Sequence, residues 1–167
     1  MKVNYKQFVK DLESGKTEED IKNVYAKIFK LKYDTSDKID LYTSNVLFEF
    51  KYNKNFENLK TRSSILAQVF YYIRKIKYSG NDKVIPGTIC IADKNEVILT
   101  ETIKWIKYYD NDKYDWDLTP SIPDETLVYD ISINDNWKNI HIFKIQDEND
   151  FQLVYDEISN YITGQLN

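Results

Sequence analysis

Three charged residues within a short span, Asp40, Glu49 and Lys51, carry the types and spacing that could do chemistry. They fall in K-I-D-L-Y-T-S-N-V-L-F-E-F-K-Y, Lys38 to Tyr52, which reads as a β-hairpin. Strand alternation puts Val46, Phe48, Phe50 and Tyr52 on one face and Leu47, Glu49 and Lys51 on the other. Thr43, Ser44 and Asn45 supply a turn that returns the second strand beside the first, bringing Asp40 toward Glu49. Two carboxylates converging from neighbouring strands suit a hard divalent cation such as Mg2+, which takes oxygen ligands and keeps waters or substrate phosphate in its other positions. An adjacent ammonium can orient or deprotonate a water, or offset charge developing on phosphate oxygens. That combination is the chemistry of phosphodiester hydrolysis. The bland alternative is real: 30% of the chain is charged, and E-x-K on an exposed strand face is ordinary solvation.

The elements that must position these residues follow from periodicity. Tyr5 to Glu13 reads as a helix with Phe8, Val9 and Leu12 as its apolar stripe, ending near Ser14 and Gly15. A second helix starts behind Thr17 as N-cap, with Ile21, Val24, Tyr25, Ile28 and Phe29 on one face. Glu18 and Glu19 occupy its first turn, where they complement the helix dipole in any case. The longest helical pattern runs from about Thr61 to Tyr78, with Ile65, Leu66, Val69, Phe70, Ile73 and Ile76 buried and Gln68 and Tyr72 together on an adjoining face.

Val84 to Ala92 is an apolar strand without alternation, as expected of a strand covered on both faces. Asp93, Lys94 and Asn95 turn it into a short strand, Glu96 to Thr100. Thr100 to Tyr109 reads as a helix, Asp110 to Pro123 as a loop whose aromatics either stack on bases or, as is commoner, pin it to the core. Asn139 to Ile145 reads as a strand and Asp147 to Ile162 as a closing amphipathic helix, after which T-G-Q-L-N reads as a boundary.

Composition narrows the chemistry. At 167 residues and 42% hydrophobic, with neither repeat nor low-complexity tract, the chain reads as one compact α/β domain. It has no apolar run of the roughly 20 residues a membrane helix needs, and Met1 to Lys16 has no apolar signal-peptide core. The single cysteine, Cys90, flanked by isoleucines, fits a reducing cytoplasm and a buried, inert thiol. The single histidine, His141, reads as an outward strand residue. With one of each, Cys/His zinc sites and covalent triads are largely closed, and carboxylate–metal chemistry stays open. Net charge is −4, which argues against autonomous tight DNA binding. Arg74, Lys75 and Lys77 form the best basic cluster, whose default reading is a solvated helix end.

Asp40 followed across a hairpin by Glu49-Phe50-Lys51 resembles the PD-(D/E)xK nuclease superfamily, with Ile39 where the eponymous proline would stand. The Gln68-V-F-Y-Tyr72 spacing resembles the Q-x-x-x-Y motif of one branch, which includes nuclease domains of type I restriction motor subunits and of fused endonuclease–methyltransferases. T-E-E-D-I-K looks like the preceding helix that adds an acidic residue in many members, with Glu19 chosen over Glu18, and I-A-D-K-N-E-V is similar in texture to the region after the fused type II core.

The resemblance spans about residues 17–95. It implies a restriction-endonuclease-like mixed sheet flanked by helices, with αβββαβ order, although only two strands are legible before the long helix. It also implies a metal-dependent DNA endonuclease in which Asp40 and Glu49, the backbone carbonyl of Phe50 and Glu19 hold Mg2+, with Mn2+ as substitute. Lys51 then positions water, and Gln68 and Tyr72 brace the site or touch phosphate. DNA, methyltransferase and target-recognition partners, and a dimer for double-strand cleavage, are expected on the same ground. A catalytically silent domain of that fold, or an unrelated α/β interaction domain, stays open.

Overall fold

A computed structural model describes residues 3–31, 41–42, 45–80 and 84–164, and its elements follow the sequence in one α/β arrangement. Helices α1 (Tyr5–Ser14) and α2 (Glu18–Ile28) precede a hairpin of β1 (Leu41–Tyr42) and β2 (Val46–Phe50). Then come the long α3 (Leu59–Lys77), β3 (Thr88–Ala92) and β4 (Glu96–Glu101). A 3-10 turn (Thr102–Trp105) leads into α4 (Ile106–Tyr109), α5 (Glu125–Ser132), a second 3-10 segment (Asp135–Asn139), β5 (Ile142–Lys144) and α6 (Glu148–Thr163).

The strands form one mixed sheet in the order β1-β2-β3-β4-β5. β2 pairs antiparallel with β1 and parallel with β3, and the β3–β4 and β4–β5 pairs are antiparallel. The parallel β2–β3 step requires a crossover, which α3 provides. Both faces of β2 and β3 are buried, and period-2 alternation divides their side chains between two cores. Leu47, Ile89, Ile91 and Ile98 join Leu66, Val69, Phe70 and Ile73 of α3 and the residues of α4 and α5. Val46, Phe48, Phe50, Cys90 and Val97 join Phe8, Tyr25, Phe151, Val154 and Ile158 from α1, α2 and α6. Helices therefore cover the sheet on both sides, and no helix among the described residues is long and apolar enough to cross a membrane.

Several expected boundaries move for physical reasons. β3 begins at Thr88, because Pro86 has no amide to donate and its carbonyl instead accepts from Thr102 Oγ1 at 2.6 Å. Thr100 and Glu101 stay in β4, so the expected helix starts at Thr102. Only Ile142–Lys144 of the expected 139–145 strand pairs, since Asn139 closes a 3-10 turn. The connection 53–58 contains no strand, so two strands precede α3 among the described residues. Helix α5, unread in the sequence, is capped by Asp124, whose Oδ1 accepts from Thr126 N at 2.7 Å and Leu127 N at 3.1 Å. Asp40 and the turn residues Thr43 and Ser44 lie outside the described residues.

Candidate active site

The end of β2 and the middle of α3 bring four of the expected site residues together. Alternation that sends Phe48 and Phe50 into the aromatic core, against Tyr25, sends Leu47 and Glu49 toward α3. The chain leaves the strand at Lys51 but keeps the ladder for one more bond, Lys51 N donating to Ala92 O at 2.9 Å. Lys51 Nζ then stands 3.0 Å from Glu49 Oε1 and donates to Gln68 Oε1 at 2.8 Å.

An ammonium has three donors and no acceptor, so Gln68 must offer Lys51 its carbonyl oxygen. The Gln68 amide nitrogen consequently points the other way, donating to Tyr72 Oη at 3.4 Å. One turn of α3 between positions 68 and 72 puts both side chains on the same face. The hairpin motif and the helix motif, far apart in sequence, are thus one hydrogen-bonded chain: Glu49, Lys51, Gln68, Tyr72.

Glu49 and Lys51 are only 2% and 7% exposed. Two buried charges persist when each stabilises the other and further hydrogen bonds are made, which is the arrangement around Lys51. Burial pulls the Lys51 pKa down. The field of Glu49 and the hydrogen bond to it, with Glu18 and Tyr72 adding, outweigh that and leave it above the ordinary lysine value. Lys51 is therefore an ammonium at neutral pH.

The acidic residue that α2 sends to the site is Glu18. Its Oε1 lies 3.9 Å from Lys51 Nζ, and its side chain is 53% exposed, so this edge of the site opens to solvent. Glu19 instead pairs with Lys22 at 2.8 Å along the helix. Successive helical residues are turned by about 100°, so once Thr17 caps α2 through Asp20 N at 3.1 Å, Glu18 and Glu19 cannot both face Lys51. The geometry favours Glu18 over the Glu19 of the sequence-based choice, and a signal for it was present: Glu18 lies three residues before Ile21 and seven before Tyr25, beside the buried stripe of α2, whereas Glu19 falls on the opposite side.

Phe50 lies in β2 opposite Ala92 of β3. The oxygen donors around Lys51 are hard and carboxylate-based, which suits Mg2+ or Mn2+ in chemical type. Among the described residues, no group of three or more His, Cys, Asp or Glu is placed to hold a metal ion; Asp40 lies outside them.

Other candidates are structural. Cys90 is fully buried, and burial drives its thiol pKa up, so it is no nucleophile. His141 stands 60% exposed beside Asp150 at 3.3 Å. Arg74 donates to Tyr109 O at 3.1 Å and to Asp112 Oδ1 at 3.0 Å, and Lys77 pairs with Asp110. Two of the three cations in that cluster thus fasten the 110–112 loop. Trp116 bonds Asn111 O at 2.8 Å and lies under the Arg74 guanidinium, the loop-pinning role. Asp93 and Glu96, which read in the sequence as a turn residue and the first residue of a strand, are both buried, and nothing in the sequence signals it, because D-K-N-E between strands is also a common solvated turn. Compared with protein-family models, curated proteins and solved structures, the chain matches none.

Proposed function

We propose that this protein is a metal-dependent DNA endonuclease with a restriction-endonuclease-like fold, hydrolysing phosphodiesters at a site built on Glu49 and Lys51. The observation that carries the reading is the bonding of Lys51 to Glu49 and Gln68 at once, with Gln68 passing on to Tyr72. A solvated E-x-K gives no reason for a buried lysine to meet a glutamine of a distant helix.

Glu49 and Asp40, with the carbonyl of Phe50 and a carboxylate from α2, would hold Mg2+, with Mn2+ substituting. A bound divalent ion supplies a more acidic water and charge stabilisation on the phosphate. Burial lowers the Lys51 pKa, but the neighbouring Glu49 carboxylate raises it further, so the side chain stands as an ammonium. It orients the nucleophile through its remaining donor and offsets the negative charge growing on the phosphoryl oxygens. Gln68 holds the ammonium in place, and Tyr72 holds Gln68. The attack by water breaks one P–O ester bond and leaves a phosphomonoester and a hydroxyl.

DNA affinity is expected to come from elsewhere, since net charge is −4 and Arg74 and Lys77 are engaged internally. That fits a cleavage domain working with target-recognition and methyltransferase partners in a restriction-modification system, with two copies acting on the two strands. The same net charge favours the competing reading, a silent domain in which Lys51 and Glu49 only stabilise the fold. Cleavage of supercoiled plasmid with Mg2+ or Mn2+ separates them. Wild type nicks and Lys51→Ala does not, at a temperature where both are folded; equal activity in the two proteins removes the proposal.

A further inference from the structure

β2, which runs into Lys51, and the helix that carries Gln68 are joined by the 51–58 connection, and that connection is tied at three points to the β3–β4 hairpin: the end of β3, the turn and the start of β4. Lys51 N donates to Ala92 O at 2.9 Å. Lys54 N donates to Asp93 Oδ2 at 3.2 Å, and Phe56 N to Glu96 Oε1 at 3.1 Å. The ring of Phe56 is fully buried in the α3 core, so its amide bond also sets where α3 begins. Asn58, two residues on, caps α3 by accepting from Thr61 N at 2.9 Å.

Both carboxylates, one in the turn and one at the start of β4, are unusually buried: Asp93 is 0% and Glu96 7% exposed. Asp93 is held in turn by its other oxygen, which accepts from Asn95 N at 2.8 Å and Glu96 N at 2.9 Å, and by Tyr25, whose hydroxyl donates to Asp93 O at 2.9 Å. Lys144 of β5 bridges Glu96 to Glu57, at 2.5 Å to each. A solvent-facing turn needs none of this, and burying carboxylates costs stability unless their bonds are made.

We infer that Asp93 and Glu96 are positioning residues of the candidate site, clamping the 51–58 connection so that Lys51 meets Gln68 at bonding distance. The inference rests on the nuclease reading for its purpose, but its geometry is independent of activity. The clamp fastens the connection between the two elements whose separation sets the Lys51–Gln68 contact, and Asn53, inside it, makes the sharp change of direction with a left-handed backbone, φ of 57°, that asparagine tolerates.

Asp93→Asn is the clean test. The carboxamide oxygen still serves Asn95 and Glu96, whereas the amide nitrogen now faces the Lys54 N–H, donor against donor. Three quantities are read: hydrogen exchange at Lys54 N and Phe56 N, the side-chain amide resonance of Gln68, and plasmid nicking with kcat separated from KM. Asp93→Asn speeds exchange at Lys54, shifts the Gln68 resonance, and lowers kcat on the order of tenfold or more at unchanged KM, as displacement of a catalytic group does. Glu96→Ala does the same through Phe56, and Glu96→Gln, which keeps an acceptor oxygen, restores all three. Should Asp93→Asn fail to fold, the Glu96 pair decides.

Released amides with an unmoved Gln68 resonance would overturn the inference, since the clamp would then hold only its own loop. So would unchanged exchange at Lys54 and Phe56. A wild type that does not nick DNA sinks the nuclease reading, while the Gln68 resonance still decides whether the clamp positions the pair.

Discussion

At the scale of single residues, the chemistry of the site depends on which atoms Lys51 can reach. Its ammonium is shared between Glu49 and Gln68, and a second carboxylate, Glu18, stands further off on the open side. If the oxygens around Lys51 hold a divalent ion, Glu18 belongs to that environment and Glu19 does not. Glu18→Ala is therefore expected to weaken Mn2+ binding by about tenfold, the scale of a lost supporting carboxylate. Glu19→Ala, which removes only an i,i+3 pair with Lys22, leaves binding as it was. Calorimetric titration of Mn2+ into the two variants checks this, and the reverse ranking would return the role to Glu19.

At the scale of elements, the site needs α3 to hold Gln68 and Tyr72 one turn apart and in register with β2. Much of that comes from packing: Leu66, Val69, Phe70 and Ile73 are fully buried along the helix. Its start is set by Asn58, whose side chain accepts from Thr61 N. Asn58→Ala is expected to cost about 1 kcal/mol, the usual worth of an N-cap, while Asn58→Ser recovers most of it. Urea unfolding measures this, and no loss in Asn58→Ala would place the start of α3 under the control of the Phe56 anchor alone.

At the scale of the whole molecule, buried groups that disfavour deprotonation are spread through both cores. Burial, with Cys90 and Asp93 adding, raises the Tyr25 pKa well above its ordinary 10.0. Burial raises Cys90 above 9.0, and Glu49 raises Lys51 above 10.5 despite burial. In all three the folded state holds its proton more tightly than the unfolded chain does. The stability they contribute is complete below the unfolded values and is lost as pH rises through them, from about pH 9 upward, at about 1.4 kcal/mol per pH unit for each group in its window. Unfolding free energies measured between pH 7 and 11 should fall steeply at the top of that range. Tyr25→Phe, which keeps the ring and gives up the bond to Asp93 O, should fall less steeply; an identical slope would remove Tyr25 from the account.

Read alone, the sequence determined what depends on short-range periodicity. The face split of β2, the buried stripe of α3, the Thr17 cap and the burial of Cys90 all follow from apolar spacing that each segment carries within itself. Pairing Gln68 with Tyr72 was legible for the same reason, since one helical turn separates them. Tertiary structure decided everything that depends on how segments approach one another. Whether Lys51 meets Gln68, how near Glu18 comes to it, and whether Asp93 and Glu96 are solvated or buried are set by the placement of α2, α3 and the β3–β4 turn around one end of β2. A carboxylate's neighbours within its own segment are the same in either case. Only contact across the fold, which removes water and supplies an amide or an ammonium in its place, distinguishes a buried, paired carboxylate from a solvated one.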